Sequence, residues 1–299
     1  MTVVRIAVPR KGRPLEAVLE RIAARANRTA LADDIVSTLR YEKAIAKGEQ
    51  EADRSVYERL ARYSETADPT HPEYTLLRDD RESMPRRIVF DSVTIPTETV
   101  DLHLVGREEP FRALRKHEFA LGFDSADLVL EEVVGLNPDP LAELSTVNER
   151  IDPRDTDVRL QAGLGDTVYH TLLATPDTAN TIDRPLDRSF VDAYEGDLCV
   201  SPRYERLVEA VLGTTATENV TFRHPDCGQT EEAAIAATGL GVYLTVSGST
   251  AREHGLVVGQ QLFPSETVLL ENVAERTAVT DRAATVLDEV GVETSLPTQ

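Results

Sequence analysis

Cysteine, lysine and long apolar runs are all scarce in this sequence. Only Cys199 and Cys227 occur in 299 residues. Two thiols cannot build a disulfide framework or a four-ligand zinc set, so the reducing cytoplasm is the expected compartment. No run of about 18 apolar residues occurs, which excludes a helix that spans a bilayer. The opening stretch, MTVVRIAVPRKGRP, carries its charges after a short apolar run, the reverse of a secretory signal. Only Lys11, Lys43, Lys47 and Lys116 are lysines, and 52 acidic residues face 32 basic ones, for a formal charge of −20. Such a chain has no basic face with which to displace counterions from nucleic acid, so nucleic acid is excluded as a partner. An acid-rich, lysine-poor surface stays solvated in strong salt and repels itself in dilute salt, as expected of a halophile.

What is present suits a globular protein. Hydrophobic residues make up 41% of the chain, enough for a large core at this length. Val3 to Val8 reads as a strand, PRKGRP breaks it, and Leu15, Val18, Leu19 and Ile22 recur at helical spacing. Residues 30–65 read as helix, with Leu31, Ile35, Leu39, Ile45, Val56 and Leu60 as its stripe. Residues 64–75 read as loop, and 86–96 and 100–106 as strands. A short helix over 110–119, a strand over 120–124 and a helix that Ser125 caps follow. Residues 135–158 are rich in turn formers. Further on, 167–176 and 219–225 read as strands, 197–213 as strand, loop and helix, and 230–239 as a helix stopped by Gly239. Two strands around Pro264 fill 257–273. Alternating strands and helices predict an α/β fold with mainly parallel sheets.

Several groups of residues could carry chemistry. Ser247, Gly248, Ser249 and Thr250 end an apolar run and open a polar stretch. Hydroxyls and backbone amides at a helix start make an anion site, and glycine lets the backbone approach closely. The same pattern also serves plain helix capping. Lys11 and Arg13 follow the first strand, where ligands gather in open α/β sheets, and two cations there suit an anionic substrate or a solvated basic turn. Glu231 and Glu232 open a helix, which helix-dipole electrostatics alone would favour. Cys227 in HPDCGQ neighbours His224, but no third group orients the pair for nucleophilic work. The six histidines show no metal-ligand spacing.

Three stretches in order resemble ATP phosphoribosyltransferase, which opens histidine biosynthesis. RIAVPRKGRPLEAVLERI (5–22) is similar to that family's first strand, Lys-Gly-Arg loop and helix. PFRALRKHEFALGFDSADLVLEE (110–132) resembles its segment around DLGITG, and TEEAAIAATGLGVYLTVSGSTAREHGLVV (230–258) resembles the segment with its phosphoribosyl-diphosphate loop. The resemblance implies a two-lobed, periplasmic-binding-protein-like fold with a ligand cleft between the lobes. Residues 1–159 plus 248–299 would form lobe I, with a charged helical insertion at about 30–80, and 160–247 would form lobe II. Ser247, Gly248, Ser249 and Thr250 would cradle the 5′-phosphate. Lys11 and Arg13 would face the diphosphate or the ATP phosphates, and Glu231 and Glu232 would stand on the ribose and diphosphate side. Magnesium would arrive with the diphosphate, without direct protein ligands. ATP and phosphoribosyl diphosphate, or another phosphorylated small molecule, are the implied ligands, and the sequence is compatible with a homo-oligomer.

The departures from the family pattern fall in the site. Where the family reads GLADAIVDLVSTGTTL, this chain has neither Asp nor Glu from Ala233 to Arg252. DLGITG has become Ala120-Leu121-Gly122-Phe123-Asp124-Ser125, and KGRL has become Lys11-Gly12-Arg13-Pro14. Two readings follow: a transferase acting on N1 of ATP, or a non-catalytic paralogue that binds a phosphorylated ligand or serves as a regulatory subunit.

Overall fold

The apolar run Val3–Pro9 (β1) forms the middle strand of a seven-stranded sheet, and its last four residues are buried on both faces. The computed structural model describes residues 2–77 and 86–288. The other strands are β2 (Glu73–Leu77), β3 (Arg87–Pro96), β4 (Asp101–Arg107), β5 (Leu121–Ser125), β6 (Val158–Gly163), β7 (Val168–Ala174), β8 (Gly196–Cys199), β9 (Val220–Arg223), β10 (Leu240–Thr245), β11 (Val257–Ser265) and β12 (Thr267–Asn272). The helices are α1 (Arg13–Arg25), α2 (Thr29–Ala46), α3 (Val56–Tyr63), α4 (Pro110–Arg115), α5 (Ala126–Glu132), α6 (Pro176–Ala179), α7 (Arg188–Asp192), α8 (Glu205–Leu212), α9 (Glu231–Thr238), α10 (Ser249–Glu253) and α11 (Ala278–Asp288). Among the described residues, no helix is long and apolar enough to cross a membrane.

The chain divides into two compact α/β units. The first holds the described residues of Met1–Asp124, Asp157–Asp166 and Thr267–Glu293, and the second holds Ser125–Thr156 and Thr167–Glu266. These limits differ from 1–159 plus 248–299 and 160–247, and strand pairing explains why. β11 pairs antiparallel with β7, so the chain stays in the second unit through Ser265. β6 pairs antiparallel with β12, which draws 157–166 into the first. Residues 125–156 join the second unit through α5, which packs on α8.

The first sheet has the order β2-β3-β4-β1-β5-β12-β6, and the second β11-β7-β10-β8-β9. The α/β class is as expected, but the sheets are mixed rather than mainly parallel. β1 pairs parallel with β4 and β5, and β8 with β9 and β10, whereas β2–β3, β3–β4, β6–β12, β7–β10 and β7–β11 are antiparallel. The two strands expected over 257–273 are β11 and β12, but the break falls at Glu266 and Pro264 lies within β11. As an edge strand it tolerates a residue without an amide hydrogen.

In the first unit, Leu15, Val18, Leu19 and Ile22 of α1 pack with Ile6 and Val8 of β1 and with Ile88, Phe90 and Ile95 of β3. Each fully buried side chain of this size contributes about 1.5–3 kcal/mol. The expected helix over 30–65 is two helices. Gly48 adopts φ 74°, and the Gly48 and Glu49 amides donate back to the Ile45 and Ala44 carbonyls, a left-handed stop that ends α2. α3 restarts at a capping box in which Ser55 accepts from the Glu58 amide and Glu58 accepts from the Ser55 amide. Ala32, Ile35 and Leu39 of α2 join the core, so this charged insertion covers the sheet and supplies its edge strand β2. Its last residues, 78–80, lie outside the described ones.

Glu42 and Arg59 tie the two inserted helices together. Arg59 donates through Nε to Glu42 Oε1 and through Nη2 to Oε2, both at 2.8 Å. Arg59 Nη1 also donates to the Arg54 carbonyl, and the Tyr63 hydroxyl donates to Glu42. Burial, reinforced by the Glu42 carboxylate, pushes the Tyr63 phenol up to about 12.

His103 on β4 is expected to give the first unit a pH response. Its Nδ1 lies 2.9 Å from the Thr94 hydroxyl on β3, and Arg5 is its register partner on β1. Burial, then the Arg5 charge, holds the imidazole below its ordinary 6.5. The unfolded chain therefore binds more protons as pH drops through 6.5. Stability is expected to fall from there down to the folded-state value and to be level above it. Urea unfolding at fixed salt from about pH 8 to pH 5 checks this, with His103→Asn expected to flatten part of the slope. An unchanged slope in that variant would remove His103 as its source.

Candidate functional site

The hydroxyl-rich turn sits at the carboxyl end of β10, the strand between β7 and β8 in the second sheet. Thr245, the last residue of β10, is buried, and its hydroxyl lies 2.6 Å from that of Thr171 on β7. That bond fixes the point from which Val246 and Ser247 leave the sheet. Gly248 then turns with φ 70° and ψ 15° and stands at the N-cap of α10. A Cβ there would lie 2.9 Å from Val258 Cγ2, so both conformation and space favour glycine. Ser247 Oγ accepts from the Ser249 amide, and Arg252 Nη1 donates to the Ser247 carbonyl at 2.8 Å. Ser247, Ser249 and Thr250 are exposed. The Ser249 amide is already taken by Ser247 Oγ, so the exposed hydroxyls are the groups that the turn chiefly offers to an anion.

Glu231 and Glu232 begin α9, with Thr230 accepting from the Ala233 amide as cap. The helix lies flush on β10 because residue 241 is glycine. A Cβ there would meet Ile235 Cγ1 at 2.5 Å and the Cys199 carbonyl at 2.6 Å. Tyr243 on β10 lies close enough that its phenol is pushed up, first by burial and then by the Glu231 and Glu232 charges. Glu231, Glu232, Tyr243 and Ser247–Thr250 all belong to the second unit.

Lys11 and Arg13 belong to the first unit, at the carboxyl end of β1 as expected. The loop that carries them is held by its neighbours. Arg10 Nε donates to the Gly106 carbonyl, and the Arg10 carbonyl accepts from the Phe90 amide, both at 3.1 Å. The loop cations also have carboxylate partners. Arg10 faces Asp91 at 3.7 Å, Lys11 faces Glu108 at 3.6 Å and Arg13 faces Asp166 at 3.5 Å. Arg13 Nη1 also donates to the Asp166 carbonyl. About a third or more of the Lys11 and Arg13 side chains remains exposed, so these pairs are partly screened.

The family described as halobacterial ATP phosphoribosyltransferase matches residues 1–298 of the chain. The chain belongs to this family. Among solved structures, it is similar to the ATP phosphoribosyl transferase (HisG:HisZ) complex of Thermotoga maritima, at 13% identity over 96% of each chain and a TM-score of 0.43. It is similar to the regulatory domain of MetR, a LysR-family regulator of N. meningitidis, at 10% identity over 96% of this chain and 94% of that one, with a TM-score of 0.31. An ancestral amino-acid-binding protein, AncCDT-1, shares 8% identity over 63% and 70% of the two chains, with a TM-score of 0.35. No curated protein sequence matches it.

Two further polar groups of this ATP phosphoribosyltransferase-like protein could be mistaken for catalytic ones. Asp127 accepts from Ser265 Oγ at 2.7 Å and lies 3.0 Å from His170 Nε2, with all three side chains buried. The carboxylate stands between serine and imidazole, so the imidazole cannot take the serine proton as it does in a catalytic triad. The group joins α5, β7 and β11 instead. His224 pairs through Nε2 with Glu205 at 2.6 Å, a partner that sequence adjacency to Cys227 does not suggest. Cys199 is buried and its thiol is pushed up, chiefly by burial, so it is a poor nucleophile. Among the described residues, no group of three or more His, Cys, Asp or Glu side chains is arranged to hold a metal ion.

Proposed function

We propose that the protein transfers the phosphoribosyl group of phosphoribosyl diphosphate to N1 of ATP. The carrying observation is the Ser247–Thr250 turn, with left-handed Gly248 at the start of α10, in a chain of this family. The turn holds the 5′-phosphate through amides and hydroxyls. Lys11 and Arg13 bind the diphosphate or ATP phosphates, and Glu231 and Glu232 stand on the ribose side. The N1 lone pair of adenine bonds to C1 of the ribose as the bond from C1 to the diphosphate oxygen breaks, and pyrophosphate leaves with the electron pair. The step needs no side-chain nucleophile, only alignment of the reacting atoms and stabilisation of the departing charge. Magnesium, when bound, neutralises the diphosphate. It would take its ligands from the diphosphate and water, with no direct protein ligand. The acid-rich composition and the family's halobacterial description favour function in strong salt and a cytoplasmic setting.

A second reading is favoured by the absence of carboxylates from Ala233 to Arg252, in which Tyr243 is the titratable group on β10. In it the protein binds a phosphorylated ligand without transfer. Incubation with magnesium, ATP and phosphoribosyl diphosphate in molar potassium chloride decides between the two, with phosphoribosyl-ATP sought by mass spectrometry. Product supports the transferase. Ligand binding without product supports the second reading, and absence of both overturns the two together.

A further inference from the structure

Arg13 is paired with a residue that is itself anchored where the chain passes between its units. Asp166 ends one stretch of the first unit and Thr267 begins the next. Asp166 Oδ1 accepts from the Thr267 amide at 2.8 Å, and Oδ2 accepts from the Thr267 hydroxyl at 2.7 Å. Thr267 is fully buried, and its carbonyl accepts from the Leu164 amide at 2.9 Å. Arg21, from the same helix as Arg13, donates to the Leu164 carbonyl at 2.9 Å. The Asp166 carboxylate is 14% exposed, so its position is set by these bonds rather than by solvent. Arg13 reaches this fixed group twice, by a bond to its carbonyl and by charge to its carboxylate.

Resting on the reading of Arg13 as an anion-binding residue, we propose that Asp166 is a built-in counter-anion that sets the affinity of the Lys11–Arg13 loop for pyrophosphate-like ligands. The Asp166 carbonyl aims the guanidinium, and the carboxylate offsets part of its charge. A ligand phosphate must therefore compete with a carboxylate already in place. Asp166 acts through Arg13 and is a positioning and tuning residue rather than a catalytic one.

Asp166→Asn separates charge from structure. Its side-chain oxygen still accepts from the Thr267 amide, its NH2 can donate to the Thr267 hydroxyl, and the backbone carbonyl facing Arg13 is unchanged. The measurement is the dissociation constant of inorganic pyrophosphate, by calorimetry at one fixed potassium chloride concentration, for wild type, Asp166→Asn, Arg13→Gln and the double variant. Asp166→Asn is expected to bind about two- to five-fold tighter, the size of a partly exposed ion pair. Arg13→Gln is expected to bind roughly tenfold weaker. In the Arg13→Gln background, Asp166→Asn should have no further effect. Asp166→Ser, shorter and uncharged, should shift affinity the same way and serves if Asp166→Asn unfolds. Weaker or unchanged binding in both Asp166 variants, or an equal gain without Arg13, overturns the counter-anion. If wild type binds no pyrophosphate, or Arg13→Gln binds as wild type, the reading of Arg13 fails and the inference fails with it.

Discussion

Gly248→Asp is expected to lose binding of phosphoribosyl diphosphate, by about a hundredfold or more. The substitution has two consequences at one place. It puts a carboxylate where the proposed site receives a phosphate, turning attraction into repulsion. It also forces a side chain onto a backbone at φ 70°, with a Cβ 2.9 Å from Val258 Cγ2. Gly248→Ala separates the two. It carries at least the strain of aspartate, about 1–2 kcal/mol, without the charge. Alanine is therefore expected to lose stability and a smaller part of the affinity, and aspartate nearly all of it. Calorimetric titration of both folded variants measures the difference. Wild-type affinity in Gly248→Asp would end the assignment of Ser247–Thr250 as the phosphate cradle.

Glu42→Ala is expected to cost the first unit a large part of its stability. It strands the charge of Arg59, a residue buried in the native protein, with the Arg54 carbonyl as its remaining acceptor among the bonds described above. Removing one partner of a buried pair typically costs about 3–5 kcal/mol. Replacing both partners by apolar groups, as in Glu42→Leu with Arg59→Met, removes the stranded charge and is expected to recover most of that loss. The chain has no tryptophan, so near-ultraviolet circular dichroism of its eight tyrosines can follow urea unfolding at constant salt. A double variant as unstable as Glu42→Ala would mean that α2 and α3 depend on the pair itself.

The sequence made the local parts of this molecule readable. The strand, basic loop and helix of residues 3–25, the Ser125 cap of α5 and the Gly239 stop of α9 depend on residues within a few positions of one another. The parts it hid depend on distant partners. β6 begins where the turn-rich stretch ends and is a strand because β12, far along the chain, pairs with it. The limits of the units follow from the same kind of pairing, as β11 with β7 shows. In the candidate site, the hydroxyls, the glycine and the cations were visible. The pairing of Arg13 with Asp166, across 153 positions, left no local trace. The same holds for Glu231 and Glu232 acting on Tyr243, which depends on Gly241 letting α9 lie on the strand.

The place of β12 between β5 and β6 has a consequence for synthesis. β1 to β5 leave the ribosome early, but the strand that flanks β5 is Thr267–Asn272, and the whole second unit is made in between. During translation the growing chain must carry an open strand edge, a template for pairing with another nascent chain. In the strong salt proposed for this protein, charge is screened beyond about 3 Å, so its net charge of −20 guards that edge only at close range.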